Sequence, residues 1–456
     1  MPSQAFPPVP PPRPAARVCA AALLASAGAG AAAPETQLTS APHGHVLTNV
    51  NVWSPDGRWI VYDVRGPGGE FDGARIERVE VATGRVETLY QAAHGARCGV
   101  VTHHPRRDQV VFILGPEYPT PEWTYGLSRR RGFLVEPGHP GKGRGLDAMT
   151  YAPPFVPGAL RGGSHVHVFH PAGDALSFTY DDELLARLGE AGDHDRNQRN
   201  VAVAVPVPGG VCVPRAHPRS HDGDWFSVVV TRTVNRPRPG SDEISRAYEE
   251  GWLPDRDGRR RLAFLGNVTA PDGREHAEVF VVELPPDLTR AGPEPLEGTA
   301  TRRPAPPAGT VQRRLTFLGG GAPRGVAPAP RHWLRASPAD GAIAFLRADA
   351  AGHAQLWTVS PNGGAPRQLT RGAAGVGSAF TWSPDGRRLA HAMDGSVCVT
   401  DAATGATTRL TPRVEGEGGP EALACVFSPD GRRIAYTQRV VGPAGTHAQV
   451  FVVDAP

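Results

Sequence analysis

The apolar positions of this chain fall in short alternating bursts between turn residues, not in long helical stripes. WSPDGRWIVYDVR from Trp53, WSPDGRRLAHAMDG from Trp382 and FSPDGRRIAYTQR from Phe427 share one plan. An aromatic precedes a Ser-Pro-Asp-Gly turn, and an alternating strand follows it. Weaker copies are HHPRRDQVVFILG from His103, FHPAGDALSFTYDD from Phe169 and ASPADGAIAFLRAD from Ala336. A tight turn between two apolar runs predicts a hairpin. A third strand commonly follows, as in Ala74–Gly84, His276–Leu284 and His353–Ser360. A short fourth strand carries a Leu-Tyr or Leu-Thr pair, at Leu89-Tyr90, Leu315-Thr316, Leu369-Thr370 and Leu410-Thr411. Four short strands per unit, repeated along the chain, mark an all-β propeller.

Inner strands starting near His45, Arg97, His165, Asp224, Arg331, Gly377 and Glu421 predict seven blades, with six or eight also compatible. The last unit, HAQVFVVDAP, stops after its third strand, whereas TQLTSAPHGHVLTNVNVWSPDG near the N-terminus supplies the fourth-strand phrase. The segment Thr36–Thr39 is therefore expected to close the ring, which removes an open sheet edge. The fourth unit is disguised. WFSVVVTRT (Trp225 to Thr233) reads as its inner strand, parted from RRRLAFLGNV by an insertion over 234–260. Within that insertion, Ser241 or Asp242 can cap a helix running to about Glu250. The propeller is thus assigned to 35–456 as one domain, with a Pro-rich crossing from Leu296 to Thr310.

Residues 1–34 combine Arg13 and Arg17, a short apolar run and an Ala-rich exit, the parts of a secretory signal. A signal peptide predicts a periplasmic or secreted protein; a disordered extension predicts a cytoplasmic one. No later stretch is apolar enough to span a membrane.

Composition narrows the chemistry. The chain has 456 residues, and its 55 Gly and 48 Pro exclude coiled coils and helical bundles. A net charge of +3 without a basic block argues against nucleic acid as a partner. Lys142 is the only lysine among 48 basic residues, so Schiff-base chemistry has one candidate, in GHPGKGRG. That loop lacks the spacing of a phosphate-binding loop, and no nucleotide cofactor is expected. Five scattered cysteines form no metal or disulfide framework, and the four within the body read as buried apolar residues. No Gly-x-Ser-x-Gly elbow is present.

The SPDG units resemble those of TolB-like propellers, which also use an N-terminal strand for closure. The stretches HGHVLTNVNVWSPDGRWIVYDVR, GALRGGSHVHVF, RPGSDEISRAYEEGW and PPAGTVQRRLTF more narrowly resemble a bacterial propeller family of unknown function, itself similar to oligogalacturonate lyase. The resemblance implies an acidic oligosaccharide as ligand and a divalent ion, Mn²⁺, Zn²⁺ or Ni²⁺, held by channel histidines. It further implies β-elimination from a uronate, with a nearby His taking the C5 proton.

The repeat places histidines by face. His43, His45, His94, His165, His167, His217, His221 and His332 fall in or beside the loops between blades, on one rim. His103, His104 and His170 fall at turns on the other. Aligning inner strands on the turn puts Asn49, His165 and His332 at equivalent places, and His167 follows His165 at same-face spacing. Converging neutral imidazoles suit a borderline divalent ion, so His165, His167 and His332 are the candidate metal ligands. His45 and Arg161 are the catalytic candidates. Asn49, Arg97 and Arg331 are the substrate-binding ones, arginine being suited to carboxylates. Asp242, Glu243, Glu249 and Glu250 are placed on the opposite rim, as a solvated or protein-contact surface. The alternative, from another class, is a non-enzymatic propeller that binds envelope proteins. A monomer is expected in either case.

Overall fold

The computed structural model describes residues 34–66, 71–255, 258–320 and 323–456. The proposed signal segment lies outside the described residues, apart from Pro34.

Each repeat folds because its turn is closed by its own side chains. Ser54 Oγ donates to Asp56 Oδ1 (2.5 Å), the amide of Arg58 donates to the same carboxylate (3.0 Å), and the amide of Trp59 donates to Ser54 Oγ (2.9 Å). Gly57 supplies the left-handed residue, at φ 68°. The same bonds recur at Ser383/Asp385 and Ser428/Asp430, with Gly386 at φ 70° and Gly431 at φ 72°. A Cβ at Gly57 would meet only Pro429 Cδ, at 4.0 Å, whereas at Gly386 it would approach Ala339 Cβ to 2.6 Å. Gly57→Ala is therefore expected to lower stability by about 1 kcal/mol, the left-handed penalty alone. Gly386→Ala should lower it clearly more. Urea midpoints of the two variants check the order.

Seven four-stranded antiparallel sheets result, with inner strands Gly44–Val46, Cys98–His103, Gly162–Phe169, Ile244–Trp252, Arg335–Ala336, Thr381–Trp382 and Pro420–Phe427. We number the blades in that order. Each packs on the next and the seventh returns to the first, so the chain is a seven-bladed propeller. The core lies between blades: Ile60 and Tyr62 of blade one pack with Val426 and Val450 of blade seven. Where a tryptophan precedes the turn, it also links neighbours. Trp53, Trp252 and Trp382 donate their indole N–H to Val426, Val168 and Arg335 carbonyls of the preceding blade, at 2.9–3.0 Å.

Closure follows the expected route. Glu35–Gln37 pairs with the third strand of blade seven, Gly445–Asp454, in the register Glu35↔Val453 to Gln37↔Phe451. Thr39 Oγ1 adds a bond to Gln449 Oε1 at 2.8 Å.

Blade four differs from its sequence reading. Gly223–Val229, the core of WFSVVVTRT, pairs with Asn200–Val211 as the outer strand of blade three. The true inner strand of blade four is Ile244–Trp252, which pairs with Arg261–Thr269, so 234–260 is no insertion and ISRAYEEGW no helix. Helix propensity is a weak prior, and pairing with an open strand edge overrides it. Two register shifts hide the strand from an alternation test. The repeat signal was nonetheless present: Trp252-Leu253-Pro254-Asp255 is a Trp-Ser-Pro-Asp copy with leucine in place of the serine. The total of seven survives because blade three gained the strand that blade four appeared to lose. Cys98, Cys398 and Cys425 are buried as expected, but Cys212 is exposed. Among the described residues, no helix is long and apolar enough to cross a membrane.

Candidate functional site

Val100, Val166 and Glu249 each stand three residues before the motif's aromatic place and have φ of 59°, 56° and 53°. They mark bulges in the inner strands of blades two, three and four. A bulge re-aims its neighbours, because the extra residue breaks the two-residue alternation. In blade three it separates the histidines that straight-strand spacing had put on one face.

His165 turns toward a cavity of about 690 Å³ bounded by blades two to five on the histidine rim. His167 turns between blades two and three instead. Its ring is fully buried against Phe178, with Nε2 at 3.8 Å from Asp147 Oδ2. Asp147 is itself held by the Gly132 amide and the hydroxyls of Ser164 and Ser227, all at 2.9 Å. His167 is therefore part of an interblade network and not a partner of His165.

The cavity wall is rich in arginine: Arg130, Arg199, Arg246, Arg324 and Arg331 face two carboxylates, Glu249 and Glu275. Arg199 pairs with Asp181 (2.8 Å), Arg331 with Glu249 (2.8 Å) and Arg324 with Asp272 (2.9 Å). Arg246 lies over the Tyr248 ring at 4.7 Å and has no acidic partner among the described residues. Arg130 is 3% exposed; its Nε donates to the Ser164 carbonyl (3.1 Å) and its Nη1 to Tyr125 OH (3.3 Å). Its Nη2 is buried without a partner, as is Nδ1 of His165. Burial, with the charges of Arg130, Arg199 and Arg331, holds the His165 imidazole well below its ordinary value. His165 is thus neutral near pH 7, with a lone pair free. Burial also raises the Glu249 carboxyl, against the opposing pull of Arg331.

The other predicted residues are dispersed. His332 lines the cavity, but Nδ1–H donates to the Pro330 carbonyl (2.9 Å) and Nε2 accepts from the Leu346 amide (3.1 Å). With both nitrogens engaged, it is a structural residue and no metal ligand. Asn49 is buried and accepts from Arg335. Arg97 is exposed and donates to the Phe71 carbonyl at 3.3 Å. Arg161 is fully buried, paired with Asp182 at 2.7 Å, and donates to the carbonyls of Thr299 and Arg302. It anchors the Pro-rich crossing to blade three, so its catalytic assignment is corrected to a structural one. His45 sits in the seam between blades one and seven, where Nδ1 meets the Ala448 carbonyl at 2.9 Å. His103, His104 and His170 do make turn contacts, to Asp108, Gly173 and Asp255.

Sequence reasoning missed Arg130, Arg199, Arg246 and Tyr248. Tyr248 stands four residues before Trp252, as His165 does before Phe169 and His332 before Ala336. Recognising the leucine-bearing turn would have placed it. Glu249 was assigned to the opposite rim for the same reason; it lines this cavity, while Asp242 meets Arg314 (3.4 Å) and Glu243 meets Arg238 (2.9 Å).

A family model described as "Protein of unknown function (DUF3748)" matches residues 97–221. The uncharacterized protein YidR of Escherichia coli (strain K12) is 47% identical over 405 residues, 88% of this chain and 94% of that protein. The chain belongs to the DUF3748 family. In this DUF3748 protein the matched stretch supplies Arg130, His165 and Arg199, one side of the cavity. Among solved structures, the fold is similar to oligogalacturonate lyase in complex with manganese, with a TM-score of 0.56 and 12% identity over 93% of both chains. A puromycin hydrolase S511A mutant is also similar, with a TM-score of 0.53 and 16% identity over 90% of this chain but 52% of the other. At such identities the likeness is one of fold.

Proposed function

We propose that the rim cavity of this DUF3748 protein binds an acidic oligosaccharide and that His165 serves as its proton acceptor in a lyase-like elimination. One observation carries the reading. Arg130 and His165 line one cavity, and each carries a buried nitrogen, Nη2 and Nδ1, without a hydrogen-bond partner. A buried donor left unpaired is costly, and a carboxylate oxygen is its natural complement. The fold-level similarity to an oligogalacturonate lyase agrees with a uronate as the source of that carboxylate.

Charge links binding to proton transfer. The guanidinium groups that draw in a carboxylate also depress the His165 imidazole. A bound carboxylate offsets those charges and raises the proton affinity of Nδ1. His165 therefore becomes a stronger base only when the site is filled, a useful property for a general base. The ion implied by the resemblance does not fit His165, His167 and His332, since His332 has no free nitrogen and His167 faces Asp147. No step of the reading passes through a metal.

Titration calorimetry with short oligogalacturonates tests the binding. Arg130→Gln is expected to weaken it roughly 10- to 100-fold, the value of a charged hydrogen bond. His165→Gln should retain binding but yield none of the ultraviolet-absorbing unsaturated uronate. No uptake by the wild type, or equal uptake by Arg130→Gln, overturns the proposal.

A further inference from the structure

The ring-closing seam holds a second cluster, away from the arginine cavity. One ring nitrogen each of His43 and His45 and a Glu77 carboxylate oxygen all lie within 4.8 Å of one another. His43 and His45 are on the segment that enters blade one after the closing strand, and Glu77 is on the third strand of the same blade. Both Nε2 atoms are buried without a hydrogen-bond partner. His45 is fully buried, so no water shell compensates its free lone pair.

The surroundings orient these groups as ligands. Nδ1 of His45 donates to the Ala448 carbonyl at 2.9 Å, which fixes the proton there and leaves Nε2 as the lone-pair nitrogen. That back-side bond is the usual support of a metal-binding imidazole. Tyr62 OH donates to Glu77 Oε2 at 3.0 Å, and Arg75 lies 3.4 Å from Oε1. His447, of blade seven, also has a buried Nδ1 without a hydrogen-bond partner.

Distances agree with this role. Ligands bound at about 2.0–2.2 Å around a tetrahedral ion stand roughly 3.3–3.6 Å apart. His43 Nε2 and Glu77 Oε2 are 3.8 Å apart, too far for a hydrogen bond and close to that spacing. Two imidazoles and a carboxylate suit zinc, and three protein ligands leave one position open.

We infer that His43, His45 and Glu77 form a divalent-metal site of zinc type that stiffens the seam where blade seven meets blade one. This site is independent of the arginine cavity and of the reaction proposed there. The test uses the full chain, stripped with chelator and titrated with Zn²⁺ and, separately, Mn²⁺. Metal content and thermal midpoint are read for the wild type, His43→Ala, Glu77→Gln and His165→Ala. The expected result is about one equivalent per chain in the wild type and His165→Ala, with a raised midpoint. Affinity should fall at least tenfold in His43→Ala and Glu77→Gln. The His43 side chain is 23% exposed, so its truncation carries the test even if Glu77→Gln fails to fold. A wild type that takes up neither ion overturns the site. So does uptake that persists in His43→Ala, or is lost in His165→Ala.

Discussion

Arg161→Ala is expected to lower the unfolding free energy by about 3–5 kcal/mol, the usual result of removing one partner from a buried ion pair. The guanidinium is fully buried. Its Nη2 stands 2.7 Å from Asp182 Oδ2, and its other bonds reach the Thr299 and Arg302 carbonyls. Truncation would leave the buried Asp182 carboxylate without its counter-charge and the Thr299 carbonyl without this donor. It would also loosen a helix, because Asp182 Oδ1 caps Glu183–Leu188 through the Leu185 amide (3.0 Å). Arg161→Lys should lie between, since an ammonium matches one of these acceptors but not the planar set. Urea denaturation followed by tryptophan fluorescence measures the change. Normal stability together with lost turnover in Arg161→Ala would falsify the structural role and restore a catalytic one.

The second large effect is a gain. Glu250 is fully buried on the inner strand of blade four, and neither carboxylate oxygen has a hydrogen-bond partner. Burial pushes its carboxyl up to about 8, with the neighbouring Glu249 adding to the rise and Arg335 opposing it. The folded value thus exceeds the unfolded one, near 4.5. The folded state prefers the protonated acid. The stabilisation is complete below about pH 4.5 and is lost as pH rises through 8. At 1.36 kcal/mol per unit, the loss across that window is roughly 5 kcal/mol. Glu250→Gln keeps the shape of the protonated acid and removes the titration. It should be the more stable protein above about pH 8 and match the wild type near pH 4.5. The difference between their urea midpoints, followed across that range, isolates this group from the other carboxylates. A constant difference would mean that Glu250 is charged in the folded protein throughout.

Much of the architecture was legible because the repeat is chemically local. Ser54, Asp56 and Gly57 close a turn with bonds that span at most five residues, so the motif needs no distant partner. The closing strand was legible for a related reason: a fourth-strand phrase stood at the wrong end of the chain. Blade four was misread where leucine replaced the turn's serine and two bulges interrupted the alternation. The site was less legible. Spacing predicted that His165 and His332 would reach one rim, and both line the cavity. It could not show that His332 spends both nitrogens on backbone, or that the bulge at Val166 sends His167 to Asp147.

By itself, the sequence determined the seven-unit repeat and the ring closed by the N-terminal strand. Each depends on bonds between near neighbours or on a phrase that recurs. Tertiary structure alone decided which arginine is free and which is spent. Arg161 and Arg130 look equivalent along the chain, yet one saturates Asp182 and two carbonyls while the other, in the cavity wall, leaves Nη2 without a partner. It alone also brought Glu77 to His43 and His45. Those outcomes rest on contacts between segments remote in sequence. Removal from water, which sets the charge of His45 and Glu250, is likewise fixed only when the blades have packed.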